Sequence, residues 1–184
     1  MSGRKRTVIL FLDETILTET PPLRKGWAHI GKQALVPIAG NRSKRIMYGA
    51  LNIKTGNLIL HDSLKWNQYE FQPFLTMIRQ AWRGWNIVLF LDHGTPHKAP
   101  GTLKFAKNLG IKFRWLPKAC PKLNPMDHLW RHIKNDVLPN EAISIENTVK
   151  IAYDYLQSLS HKDVLRKAGA LSDKFWFREY CPKI

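Results

Sequence analysis

Asp13, Asp92 and Asp127 are the residues whose settings invite chemistry. The first two close similar apolar runs, "TVILFLDET" and "NIVLFLDHG", and the third stands three residues past Asn124 in "LNPMDHLWRHIK". Each has a plainer role. Asp13 fits a polar strand end, Asp92 an Asp-Gly type turn, and Asp127 the positive end of a helix capped by Asn124 and begun by Pro125. Taken together they point further. Continuous apolar strands in a small sheet are expected to be central and adjacent, which brings Asp13 and Asp92 together. Like charges at short range raise a carboxyl pKa unless a cation neutralises them, and hard oxygen ligands without thiolates favour Mg²⁺ or Mn²⁺. On its helix, Asp127 lies beside the expected buried stripe of Met126, Leu129, Trp130, Ile133 and Val137, from where it can reach the strand ends. Three carboxylates so placed can hold two ions about 3.5–4 Å apart, the arrangement of in-line phosphoryl transfer.

The elements that must position these acids follow from the rest of the chain. "RIMYGALNIKTGNLIL" carries the turn Lys54-Thr55-Gly56-Asn57 between two strand-like runs and predicts a β-hairpin. "NQYEFQPFLTMIRQAW" places Phe71, Phe74, Leu75, Ile78 and Trp82 at helical spacing. A helix near Gly101–Leu109, a strand "IKFRWLP" and a loop "KACPKL" lead to the helix of Asp127. Ser144 caps a helix with Ile145, Val149, Ala152, Leu156 and Leu159 on one face, and Ser160 followed by Asp163 starts another. The order predicts an α/β fold.

Composition narrows the partner. The chain has 184 residues, 44% of them hydrophobic, which suits a globular domain with a real core. A net charge of +15 predicts a polyanionic partner, above all nucleic acid. The cations are scattered and not gathered on one amphipathic helix, which disfavours a membrane surface. No apolar run is long enough to span a bilayer, and the N-terminal run ends in acids without a cleavage site. Cys120 and Cys181 stand far apart, so neither a disulfide framework nor a thiolate zinc site is suggested, and a reducing compartment fits.

Other residues are weighed against bland roles. His93 with His97, and His128 with His132, have a spacing that can bind zinc, though packed or exposed histidines are the commoner outcome. Glu14 adjoins Asp13, but strand neighbours face opposite ways, so it is expected to point away from Asp13's partners. Lys118, Lys122, Arg131 and Lys134 cluster around the third block as candidate phosphate contacts. Trp66, Trp82 and Trp85 are expected to pack at the core or its boundary.

"LFLDET", "LFLDHGTPH" and "LPKACPKLNPMDHLWRHIK" resemble the three catalytic blocks of mariner-superfamily transposases, with the bacterial insertion-sequence branch nearest. "WAHIGKQALVP" resembles the Trp- and Gly-containing segment that follows the first strand, and the likeness runs over roughly residues 7–160. The resemblance implies an RNase H-like fold of the retroviral-integrase type, a mixed sheet flanked by helices. Residues 1–184 would form a single catalytic domain, with a core of about 7–140 and a C-terminal helical part of about 141–184. It implies that Asp13, Asp92 and Asp127 are the catalytic and metal-binding triad, holding two Mg²⁺ or Mn²⁺ ions for DNA cleavage and strand transfer. Two departures stand out. Asp127 occupies a position that is usually Glu in the bacterial branch, and His93 replaces the Asn that commonly follows the second Asp. His97 matches a histidine common five positions after that Asp, so His93 and His97 are candidates for tuning the site. The resemblance further implies DNA as partner, a homodimer or higher assembly on it, a separate helix-turn-helix region or subunit, and a place in the bacterial cytoplasm at the nucleoid. The alternative is a catalytically inactive or domesticated DNA-binding or assembly module of the same fold, which His93 keeps open. A metal-dependent RNase or junction nuclease follows from fold analogy alone.

Overall fold

In the first strand, β1 (Thr7–Thr18), Val8, Leu10 and Leu12 enter one hydrophobic cluster while Phe11 and Leu17 enter another. A strand apolar on both faces must be covered on both faces, and this one is central. The computed structural model describes residues 6–20, 29–32, 43–138 and 143–177, so most of the 27–37 segment lies outside the described residues. Strands β2 (Lys44–Asn52), β3 (Leu58–Ser63), β4 (Asn86–Leu91) and β5 (Ile111–Trp115) complete a mixed five-stranded sheet of order β3-β2-β1-β4-β5. β1 pairs antiparallel with β2 and parallel with β4, so the two apolar strands are adjacent as expected.

The expected hairpin is β2–β3. Asn52 Oδ1 accepts from the N–H groups of Lys54 and Thr55, and Gly56 takes φ +80°, a left-handed value that favours glycine. On one sheet face lies α1 (Gln68–Ala81), whose start is capped by Asn67 and which buries Phe71, Phe74, Leu75 and Ile78. The short α2 (Thr95–Lys98) and α3 (Pro100–Asn108) follow β4 on the same face. The opposite face is covered by α4 (Pro125–His132), α5 (Ile145–Ser158) and α6 (His161–Lys167). Ser144 and Ser160 cap α5 and α6 as expected.

On α5, Ile145, Ala152 and Leu156 are buried with Val149 and Leu159 packed partly against the same cluster, as expected, and Thr148 is buried beside them. The helix α4 differs from the expectation. Regular helix ends at His132 and continues as a π turn, Ile133–Val137, closed by the Leu138 N–H donating to the Ile133 carbonyl at 3.0 Å. The extra residue in that turn shifts the phase of the stripe, so Ile133 and Leu138 are buried while Val137 is only half-buried. Among the described residues, no helix is long and apolar enough to cross a membrane.

Candidate active site

β1 and β4 pair only as far as Phe11 opposite Phe90; β4 ends at Leu91, while β1 runs on beside β2 to Thr18. Where the two strands part, a cleft of about 430 Å³ opens. Asp13, Asp92 and Asp127 all line it, with Trp66, His93, Lys118 and Asn124 among the other walls. Asp13 therefore lies inside its strand and not at its end, opposite Gly49 of β2. The strand ladder fixes its backbone. Asp92 follows the last residue of β4, and Asp127 comes from the first turn of α4.

Alternation along β1 separates Asp13 from Glu14. Asp13 shares the parity of Phe11 and Leu17, on the face covered by α4; Glu14 shares that of Leu10 and Leu12, on the face covered by α1. Burial pushes the Asp13 carboxyl well above the usual range, and the neighbouring charges of Glu14, Asp127 and Asp92 push it further. Asp127 forms an ion pair with Arg131, one turn along α4. Lys134 is half-buried near Asp13 and Asp127; burial lowers its pKa although both acids pull it up.

On the other face the acids are compensated. His97 is fully buried and tilted against Phe71, with ring centroids 4.6 Å apart. Its Nδ1 lies 2.9 Å from Asp92 Oδ1, and its Nε2 lies 3.3 Å from Glu14 Oε1. Burial alone would push this imidazole down, but bonding to Asp92 and Glu14 raises its pKa to about 10, so it is cationic at neutral pH. The His97 hydrogen bond in turn outweighs burial and lowers the pKa of Asp92, helped by the Gly94 N–H at 2.9 Å. Trp66 Nε1 donates to Glu14 Oε1 at 2.7 Å, the same oxygen that approaches His97 Nε2.

Among the described residues, Glu14, Asp92 and His97 bring one ligand atom each within 4.8 Å of one another, close enough to share a metal ion. The ring geometry argues against it. An ion takes one imidazole nitrogen, whereas these acids address opposite nitrogens, the arrangement of an imidazolium between two carboxylates. Asp13, Asp92 and Asp127 instead offer only carboxylate oxygens around an open cleft, with an excess of like charge at Asp13. That donor set suits Mg²⁺ or Mn²⁺.

The remaining candidates disperse. Lys118 is exposed on the cleft wall, Lys122 is exposed in the 3₁₀ turn Pro121–Leu123 before α4, and Arg131 is held by Asp127. His93 stacks on Trp115 with centroids 5.3 Å apart, away from His97. His132 meets Asp136 and Tyr155, while His128 lies near the Lys122 carbonyl, so neither histidine pair forms a two-histidine site. Trp82 and Trp85 pack at the boundary of a core, as expected, but Trp66 is 46% exposed at the cleft. Glu14 does face away from Asp13, yet it reaches Asp92 through His97. That link spans more than 80 positions of sequence, and only the histidine spacing from Asp92 hinted at it.

The family described as DDE superfamily endonuclease matches residues 8–150. Among solved structures, the Mos1 transposase paired-end complex with left transposon end is similar with a TM-score of 0.70 at 17% identity, over 91% of this chain and 53% of that one. The mariner Mos1 paired end complex with Mg gives 0.70 at 16% identity, over 96% and 56%. The catalytic domain of Mos1 mariner transposase gives 0.63 at 15% identity, over 91% and 78%. The chain spans about half the length of the first two. At such identities the likeness is one of fold, and the fold is the expected RNase H-like sheet flanked by helices. No curated protein matches the chain.

Proposed function

The chain belongs to the DDE superfamily endonucleases, and from that premise we propose that it is the catalytic part of a mariner-type DNA transposase. The observation that carries the reading is the convergence of Asp13, Asp92 and Asp127 on one open cleft, with the Asp13 carboxyl pushed up by burial and then by its acidic neighbours. The reaction is hydrolysis of a DNA phosphodiester to free a 3′-hydroxyl, followed by attack of that hydroxyl on target DNA. Two Mg²⁺ or Mn²⁺ ions, when bound, supply Lewis-acid polarisation of the phosphate and neutralise the carboxylates.

The chain's own residues provide the rest. Asp13 is held by the β1–β2 ladder and presents its carboxylate to the cleft. Asp92 takes both its hydrogen bonds, from His97 and Gly94, on one oxygen, so the other is available to the cleft. Asp127 closes the set from α4. Lys118 on the cleft wall gives the phosphate backbone a cationic contact, with the half-buried Lys134 beside Asp13 and Asp127, in keeping with the net charge of +15. Phosphate contacts position DNA without reading it, so recognition of transposon ends falls to a separate helix-turn-helix region or subunit, in a dimer or larger assembly.

The test is cleavage of a labelled duplex in Mn²⁺. Asp13→Asn, Asp92→Asn and Asp127→Asn should each abolish it, and a variant retaining wild-type rate would remove that residue from the triad. A wild-type chain that binds DNA but does not cut it, even with a DNA-binding partner supplied, would favour the inactive assembly module instead.

A further inference from the structure

The first turn of α4 is bonded directly to the strand that carries Asp13. Asn124 is 3% exposed and uses both ends of its amide. Its Oδ1 accepts from the Met126 N–H at 3.2 Å, capping α4, and its Nδ2 donates to the Leu12 carbonyl at 2.8 Å. A cap requires only the acceptor, and Ser or Asp would supply one. What asparagine adds is the donor. Leu12 lies one residue beyond the last β1–β4 pair and one residue before Asp13, so the amide takes a strand carbonyl where β1 and β4 no longer pair.

A second observation concerns clearance. Gly49 lies opposite Asp13 on β2, and a Cβ there would stand 2.7 Å from Trp130 Cζ2 and 3.0 Å from Cη2. The Trp130 ring is rigid and 3% exposed, so it cannot step aside as a flexible chain end would. Thus α4 rests on the sheet backbone at the Asp13–Gly49 pair with no room for a methyl group.

We infer that Asn124, with the clearance left by Gly49, is the positioning residue that sets the separation of Asp127 from Asp13 and so the affinity of the cleft for a divalent cation. The consequence for affinity rests on the proposed triad; the tie itself does not. Supports of this kind commonly change metal affinity by about 10–100-fold when removed.

The experiment compares the full chain with Asn124→Ser, which keeps a capping oxygen but cannot reach Leu12. Ser160→Ala serves as control, removing the cap of α6 away from the cleft. Calorimetry with Mn²⁺ alone and crystal structures without metal are the two readouts. Asn124→Ser should weaken Mn²⁺ binding about tenfold or more and move Asp127 away from Asp13, while Ser160→Ala changes neither. An unchanged separation, or a changed separation with unchanged affinity, overturns the inference. A wild-type chain that binds no Mn²⁺ rejects the triad's metal role, and the separation then decides the tie alone. If Asn124→Ser does not fold, Gly49→Ala carries the test. It leaves the Asn124 side chain intact but presses a methyl group against Met126 and Trp130, and an α4 unmoved relative to Asp13 there overturns the inference equally.

Discussion

Asp13 and Glu14 are neighbours on β1, and the two faces of the sheet treat them oppositely. Glu14 faces α1, where His97 and Trp66 meet its charge and where the same histidine holds Asp92. Asp13 faces α4, where its neighbours include two more acids and where Arg131 serves Asp127 from a half-exposed position. One face meets its acids with a fully buried imidazole between two carboxylates. The other sets three acids around an open cleft, with Arg131 on Asp127 and the half-buried Lys134 beside Asp13 and Asp127. The difference separates the acids that a buried histidine compensates from those that, in the proposed function, line the cleft for an external cation. Asp92 joins the two, since it lies just past β4, where no ladder commits its side chain to one face.

The largest expected break in this contrast comes from His97→Phe. Removing one member of a buried charge group commonly costs about 3–5 kcal/mol, because Glu14 would be left buried without its cation. The wild type should show the same link through pH. With the His97 pKa raised from 6.5 to about 10, its stabilising contribution is full below about pH 6.5 and is lost as pH rises through about 10. Urea midpoints should fall across that window in the wild type and change less in His97→Phe; parallel profiles would contradict the compensated face.

Asp13→Asn should act in the opposite direction on the open face. A carboxyl whose folded pKa lies above its unfolded value loses stability as pH rises from the unfolded value through the folded one. At neutral pH without metal, Asn removes that cost, and the melting temperature should rise; about 1 kcal/mol corresponds to about 2–4 °C in a chain of this size. A lower melting temperature would show that Asp13 is already compensated within the protein.

Arg131→Ala gives the smallest effect. The Asp127–Arg131 pair lies on the helix surface one turn apart and is worth about 0.3–0.5 kcal/mol. Stability should barely change, while Mn²⁺ affinity rises because Asp127 is released. Weaker Mn²⁺ binding would mean that Arg131 orients Asp127 and does not compete for it.

Much of this arrangement was legible in the residues. Unbroken apolar runs gave β1 and β4 and their adjacency, Lys54-Thr55-Gly56-Asn57 gave the hairpin, and Asn124-Pro125 gave the start of α4. The course of β1 beyond Asp13 was not legible. In "TILT" the buried residues are Thr15 and Leu17 while Ile16 is 51% exposed, so polarity does not follow burial there. Trp66 departs from the expected packing for a related reason: a hydrogen bond to Glu14, not apolar packing alone, holds an exposed ring at the cleft. The Glu14–His97 and Asn124–Leu12 contacts join distant segments, and no local periodicity encodes them.

The most direct test of the contrast is a crystal of the metal-free chain soaked in Mn²⁺ and measured for anomalous scattering. The expected result is Mn²⁺ density among Asp13, Asp92 and Asp127, with none between Glu14 and His97. Density on the His97 ring, or none near Asp13 at saturating Mn²⁺, would contradict the assignment of the open face as the metal-binding one.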